Sequence, residues 1–179
     1  LRIFLFVYTG KFTCRSPKDR YFIKTADNLG WATWKRGWDL FECDAKNLYS
    51  KIIENKLKKS FDRNNAYRFT SMLKMQAEGN LNSWAIRWCA SCFLHGKYTL
   101  YPCKSLVLHI GDGVDATNYK RKQTASDPLS VSLYQGKVDV SHISVSESKS
   151  TTRQYRKFLN KYRKPIIIRI INKIFFLNL

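Results

Sequence analysis

Cysteine and histidine side chains are the groups of this sequence best suited to hold a metal ion or act as nucleophiles. Cys89 and Cys92 stand two residues apart, and His95, Cys103 and His109 follow them, a set that could build a tetrahedral zinc site. Both cysteines of the close pair fall on the apolar side of an expected helix, where a thiol packs as a small hydrophobic group. The five cysteines are an odd number, so we expect reduced thiols and no zinc site.

Other catalytic signatures are missing from the sequence. It contains no GxSxG elbow and neither a GxxxxGK[ST] nor a GxGxxG loop, so it offers no serine nucleophile of that type and no nucleotide cradle of its own. Asp112 and Asp115 lie in a glycine-containing stretch that lacks the ligand spacing of a calcium loop. We interpret that stretch as a turn.

Three tryptophans lie close together in the segment GWATWKRGWDLF. Trp31, Trp34 and Trp38 are spaced by three and four residues, so they would share one side of a helix. Such a stripe is usually part of a hydrophobic core. The alternative is an aromatic wall for a flat ligand such as a sugar ring, because ring faces pack well on C–H-rich surfaces.

The elements that must position these residues follow from hydrophobic periodicity. Helices are predicted over 45–59 and 66–77, and a third begins near Asn82 or Ser83 and stops at Gly96. Strands are predicted over 3–8, 98–102 and 105–110, with loops at 10–30 and 111–150 and one short strand near 131–134. This order predicts a mixed α/β unit.

Positive charge is concentrated at the end of the chain. The 179 residues include 32 Lys and Arg against 13 Asp and Glu, a net charge of +19, and no acid follows Glu147. After Pro165, Arg169 and Lys173 share one helical face while isoleucine, phenylalanine and leucine fill the rest, as in helices that lie in a membrane interface. The other interpretations are a terminal helix packed on the domain and, least favoured, a nucleic-acid contact.

We expect the basic residues of this tail to meet an anionic membrane surface, each gaining about 1 kcal/mol near anionic lipid. These residues are Arg153, Arg156, Lys157, Lys161, Arg163, Lys164, Arg169 and Lys173.

The tryptophan segment and the later stretch FTSMLKMQAEGNLNSWAIRWCASCFLHGKYTLYPCKSLVLHIGDGVDATN together resemble the C-terminal half of bacterial family-2 glycosyltransferases of the GT-A fold. The likeness covers about residues 28–118 and is specific because several motifs keep their order and spacing. It implies an α/β fold with a GT-A-type mixed sheet and flanking helices. It also implies a nucleotide-sugar donor, a glycan or lipid-linked acceptor, and Mg²⁺ or Mn²⁺ on the donor diphosphate.

The resemblance also assigns roles to individual residues. Asn82 takes the position of the catalytic base, and Asp112 and Asp115 are the nearest substitute carboxylates. His109 stands where some relatives carry a metal ligand. The substrate-binding positions are Trp31, Trp34, Ser83, Trp84 and Arg87, the last as a phosphate contact.

Two departures from the family pattern shape the functional expectation. An amide such as Asn82 cannot act as a base, and the sequence has no Asp-x-Asp motif for the donor's metal ion. We therefore expect a partial glycosyltransferase domain over 1–118 that is inactive alone, a linker over 119–150 and a basic helical tail over 151–179. Its expected location is the cytoplasmic face of the cell membrane, as a peripheral protein. The alternative is a non-enzymatic basic protein that binds anionic membrane or nucleic acid.

Overall fold

A mixed α/β unit is formed by the parts of the chain that the computed structural model describes, namely residues 2–6, 20–28, 30–108, 110 and 130–162. The α/β expectation is confirmed at this level. The strands are β1 (Arg2–Phe6), β2 (Arg20–Ile23), β3 (Trp31–Thr33) and β4 (Tyr98–Pro102). The helices are α1 (Lys35–Trp38), α2 (Ala45–Glu54), α3 (Lys58–Phe61), α4 (Phe69–Ala77), α5 (Trp84–Leu94) and α6 (Lys149–Tyr162).

The four strands form one sheet in the order β2-β4-β1-β3. β4 runs parallel to β1 and antiparallel to β2, and β3 closes the other edge antiparallel to β1. The predicted loop over 10–30 is wrong at β2, where all four residues are buried. These residues are largely aromatic and branched, and they pair with β4 from Arg20 opposite Pro102 to Ile23 opposite Thr99.

The predicted helices over 45–59 and 66–77 are confirmed in large part as α2 and α4. They pack with α5 around an apolar core in which Leu48, Ile52 and Leu73 are almost fully buried. The first helix ends earlier than predicted. Lys56 adopts a φ of 58°, which interrupts the helix before α3 begins.

The helix predicted near Asn82 or Ser83 is α5, and Ser83 supplies its cap. The Ser83 hydroxyl accepts a hydrogen bond from the backbone N–H of Ile86 at 3.4 Å. Gly96, at a φ of 62°, ends the helix as predicted. Trp88 is buried as expected, whereas Trp84, expected on the buried side, is 40% exposed.

The expected helical stripe of tryptophans is wrong. Trp31 belongs to β3, where it lies opposite Phe6, and Trp34 has the extended backbone that precedes α1. Trp38 is the last residue of that helix. Pairing with β1 overrides the helical spacing because the sheet supplies the hydrogen bonds of this segment.

The basic tail begins as α6, which packs against the sheet. Tyr155 and Leu159 are buried in a cluster with Tyr21, Ile23 and Tyr101. The packed interpretation therefore holds for 149–160. Residues 163–179, including Arg163, Lys164, Arg169 and Lys173, lie outside the described residues, as does the side chain of Lys161.

Three further expectations are wrong within the described residues. Neither the 105–108 part of the predicted third strand nor the 131–134 segment forms a strand. Cys103 is disulfide-bonded rather than reduced, whereas Cys43, Cys89 and Cys92 are free thiols as expected.

Candidate functional site

An aromatic cluster lies where β3 and the start of α5 meet. It contains three tryptophans that the sequence analysis singled out, namely Trp31, Trp38 and Trp84. The ring centroids of Trp31 and Trp84 are 5.7 Å apart, and Trp31 also lies 6.1 Å from Trp38 and 5.7 Å from Trp88. Phe41 stacks on Trp38 at 4.9 Å. Two segments that carry the glycosyltransferase resemblance are thus in direct contact.

Burial differs sharply across the aromatic cluster. Trp88 is only 1% exposed and forms its base, whereas Trp38 and Trp84 are 43% and 40% exposed. Trp31 is half-buried between them. The core interpretation therefore holds for Trp88, whereas Trp38 and Trp84 present ring surface to solvent.

Trp34 stands apart from this cluster. Its indole is 47% exposed, and the guanidinium carbon of Arg36 lies 4.8 Å from its ring centroid. In the part of the chain that is described, Trp34 makes no ring contact with another tryptophan. The structure therefore does not bring Trp34 together with Trp31 as the pocket prediction requires.

The two residues before α5 differ in their surroundings: Ser83 is held by hydrogen bonds, and Asn82 is exposed. Ser83 is engaged at both ends, since its hydroxyl caps the helix and its backbone N–H donates to Oε1 of Gln76. Asn82 is exposed just before it. The amide of Asn82 is thus free to reach a ligand near Trp84, while Ser83 holds the helix start.

Arg87 is held by the loop before α2. Its Nη1 donates to the backbone carbonyl of Cys43 at 3.2 Å, and its guanidinium carbon lies 5.8 Å from the Phe41 ring centroid. The side chain is half-buried. These contacts direct Arg87 toward the aromatic cluster's outer edge and account for part of its hydrogen-bonding capacity.

Asp27 is a carboxylate that the sequence prediction missed. It lies between β2 and Trp31, and its neighbour Ala26 packs with Trp88 and Cys92. Solvent reaches the side chain, yet the surrounding protein removes enough water to raise the pKa of its carboxyl above the usual value, against the hydrogen bond from the Asn28 N–H. Desolvation by the neighbouring protein therefore favours the protonated form of this carboxyl.

Tyr67 lies within the electrostatic field of Asp27. Its pKa is raised first by burial and then by the charge of Asp27. The only sequence signal for Asp27 was its place between a run of buried residues and Trp31. Nothing local in the sequence distinguishes it from the other acids.

Some of the residues expected to hold a metal ion are described by the structure, and others lie outside the described ranges. Among the described ranges, no group of three His, Cys, Asp or Glu side chains could hold a metal ion. His109, Asp112 and Asp115, the positions that the resemblance implies, lie outside those ranges.

Cys89 and Cys92 behave as core residues. Both are buried, and burial raises the pKa of each thiol, which disfavours the thiolate that zinc requires. The Thr25 hydroxyl lies 3.9 Å from the sulfur of Cys89. The expectation of packed thiols is consistent with this environment.

The outer face of α6 is basic. A shallow cleft of about 540 Å³ runs along it, and Glu147 is the one acid among the described residues that line it. The cleft is lined by Glu147, Lys149, Thr152, Arg153, Arg156, Lys157 and Asn160. Three of the predicted membrane-binding residues, Arg153, Arg156 and Lys157, are thus brought together on a surface opposite the packed side of the helix.

Comparison with known proteins adds no family to this picture, since no family model, curated protein or solved structure matches the chain. In the described part of the chain, every helix is too short or too polar to cross a membrane.

Proposed function

We propose that this chain forms the acceptor-side part of a family-2 glycosyltransferase of the GT-A fold. The carrying observation is the contact of Trp31 with Trp84 at 5.7 Å, because each belongs to a different segment of the resemblance. The partly exposed indoles offer flat apolar surface, on which the C–H face of a sugar ring packs favourably. A four-stranded mixed sheet with helices beside it is compatible with this assignment without being specific to it.

In this proposal the polar groups near the cluster orient the acceptor. The exposed amide of Asn82 donates to or accepts from an acceptor hydroxyl, and Arg87 meets a phosphate with the donors that Cys43 leaves available. Asp27 is the group suited to take a proton, because it carries a carboxylate whereas Asn82 carries an amide. A raised pKa brings a carboxyl closer to the range in which a general base works efficiently.

Use of a nucleotide-sugar donor places a further requirement on the site. A nucleotide sugar needs charge stabilisation at its diphosphate, usually from Mg²⁺ or Mn²⁺, and the sequence contains no Asp-x-Asp motif to hold that ion. The proposal is accordingly that the chain binds acceptor and does not transfer sugar by itself. Its basic tail would hold it on the inner face of the cell membrane, where lipid-linked acceptors lie.

Glycan binding tests this proposal directly. The purified chain is applied to an array of bacterial surface oligosaccharides, and any hit is titrated by tryptophan fluorescence. We expect Trp84→Ala to weaken binding by about tenfold through loss of ring packing. Trp34→Ala is the matched control, because Trp34 is similarly exposed but lies outside the aromatic cluster. Absence of any glycan binding, or equal effects of the two substitutions, would overturn the proposal.

A second function is favoured by the basic cleft on α6. A non-enzymatic protein that binds anionic membrane or nucleic acid would use the same cations, Arg153, Arg156 and Lys157. Such binding weakens steeply with added salt and shows no sugar preference. Salt-dependent binding to vesicles or duplex DNA, together with a blank glycan array, would favour this second function.

A further inference from the structure

The 130–148 segment lies across the sheet without forming a helix or strand of its own. Its first part is attached where the backbone N–H of Tyr134 donates to the carbonyl of Ser105 at 2.9 Å. Its middle is attached by Arg20 of β2, whose guanidinium lies 3.3 Å from the Asp139 carboxylate and donates to the Ser141 hydroxyl at 3.0 Å. These contacts attach the segment to β2 and to the residues that follow β4.

A cavity of about 230 Å³ lies between this segment and the sheet. Its walls are mostly apolar, and none of its described lining residues belongs to the aromatic cluster. The apolar lining comes from Phe22, Leu100, Pro102 and Leu106 on one side and from Val138 and Ile143 on the other. The cavity therefore offers a hydrocarbon-sized space that the proposed glycan site does not use.

The edge of the cavity is open and cationic. Val138 and Val140 of the segment are 48% and 89% exposed, so apolar surface continues from the cavity toward solvent. Lys104 and Lys137 also line it, and neither forms an ion pair with a described residue. The Nζ of Lys104 lies 4.6 Å from the ring centroid of Tyr134, which holds this ammonium group at the cavity. Among the described lining residues Asp139 is the one acid, and it is already paired with Arg20.

We propose that this cavity binds the chain of a single-chain fatty carboxylate, with its anionic head at Lys104 and Lys137. The size fits, because an apolar cavity of roughly 150 Å³ accommodates benzene and the present volume scales to about nine carbon atoms. The charge also fits, because two ammonium groups without an ion-pair partner among the described residues complement one carboxylate. An uncharged hydrocarbon would leave both ammonium groups without a counter-charge.

Calorimetric titration of the full chain with fatty carboxylates tests the proposal. We expect one site per chain, with affinity rising about fourfold for each added methylene from hexanoate to nonanoate and then levelling off as the cavity fills. Decanol measures the contribution of the chain alone, and acetate that of the head alone. Weak binding at many sites, or affinity independent of chain length, would overturn the proposal.

Substitutions at the cavity separate the head from the chain. The double change Lys104→Ala with Lys137→Ala should weaken decanoate binding about tenfold and leave decanol unaffected. The matched control is Lys46→Ala with Lys51→Ala, which removes the same charge from exposed positions of α2. Equal losses in the two double variants would contradict a head site at Lys104 and Lys137.

Val138→Asp places a carboxylate against the hydrocarbon and should abolish binding of both decanoate and decanol. Val138 is half exposed, so this change is compatible with folding, and circular dichroism checks that it is. If it does unfold the chain, the lysine double variant decides alone. A dimer that decanoate dissociates, seen by light scattering, would assign the cavity to a second copy and overturn the fatty-carboxylate proposal.

Discussion

The carboxylate of Glu147 accepts a hydrogen bond from Nη1 of Arg63 at 3.1 Å and another from the backbone N–H of Lys24 at 3.2 Å. Arg63 is 8% exposed, and Glu147 lies just before α6. These two hydrogen bonds therefore join three distant parts of the chain: the end of β2, the turn before α4 and the start of α6. Glu147 therefore fixes the position at which the basic helix α6 begins.

Glu147→Gln should destabilise the protein by roughly 3 kcal/mol, because it leaves the guanidinium of Arg63 buried without its counter-charge. Urea unfolding followed by circular dichroism measures the change. Glu78→Gln is the control, since the Lys74–Glu78 pair at 3.5 Å is exposed and contributes about 0.5 kcal/mol or less. Similar effects of the two substitutions would show that the Arg63–Glu147 pair is not effectively buried.

The basic face of α6 should carry most of any affinity for anionic membranes. Replacing Arg153, Arg156 and Lys157 by glutamine should weaken binding to phosphatidylglycerol-containing vesicles about 100-fold, at about 1 kcal/mol for each charge. Vesicle sedimentation measures the binding. The same replacement at Lys51, Lys58 and Lys59, exposed lysines of α2 and α3, has the same charge change and should have a much smaller effect.

If both triple variants lose affinity equally, net charge rather than the α6 surface governs membrane binding. Full retention of binding by the α6 variant would instead remove 149–160 from the membrane contact. The helix should stay folded in either case, because Tyr155 and Leu159 anchor it from the opposite side.

Local patterns predicted the helices of this fold better than the sheet. α2, α4 and α5 follow from periodicity and caps that lie within each segment, such as Ser83 and Gly96. β2 was missed because its formation depends on pairing with β4, a partner far away in sequence. The tryptophan segment was predicted as a helix for a similar reason. Its spacing fits a helix, and the pairing of β3 with β1 is not visible in that spacing.

The candidate site was predictable only in part. Trp31 and Trp84 could be named from sequence motifs, but their contact depends on how β3 meets α5. Asp27 could not be singled out, because its pKa is raised by desolvation that arises only in the folded chain. Trp34, which both the spacing and the resemblance indicated, lies apart because the chain enters α1 there in an extended conformation.

Thiol reactivity should separate Cys43 from the two cysteines of α5. Cys43 is exposed, whereas burial raises the pKa of the Cys89 and Cys92 thiols and keeps them protonated. Brief treatment of the folded chain with iodoacetamide at mildly alkaline pH should therefore label Cys43 and spare Cys89 and Cys92. Mass spectrometry of tryptic peptides identifies the sites.

Denaturation in guanidinium is the control for this labelling, because it should make all three thiols reactive. Rapid labelling of Cys89 or Cys92 in the folded chain would contradict their burial. Protection that is lost on adding a chelator, rather than on unfolding, would revive the zinc interpretation of this pair.

Asp27 and Asp139 should titrate on opposite sides of the ordinary aspartate value of 3.8. The pKa of Asp139 is lowered, first by hydrogen bonds from the backbone and hydroxyl of Ser141 and then by Arg20, whereas that of Asp27 is raised by the surrounding protein. Carboxyl-detected NMR resolves both midpoints. Ser141→Ala should move the Asp139 midpoint upward and leave that of Asp27 unchanged.

The two shifts have opposite consequences for stability. Ionised Asp139 favours the folded state above the unfolded pKa, and this contribution is lost as the pH falls through its lowered folded value. For Asp27 the folded state holds its proton more tightly, so stability falls as the pH rises from the unfolded pKa through the raised one. Asp27→Asn should therefore raise the urea midpoint at neutral pH while weakening any glycan binding. Midpoints on the same side of 3.8, or a lower urea midpoint in that variant, would contradict the desolvation of the Asp27 carboxyl.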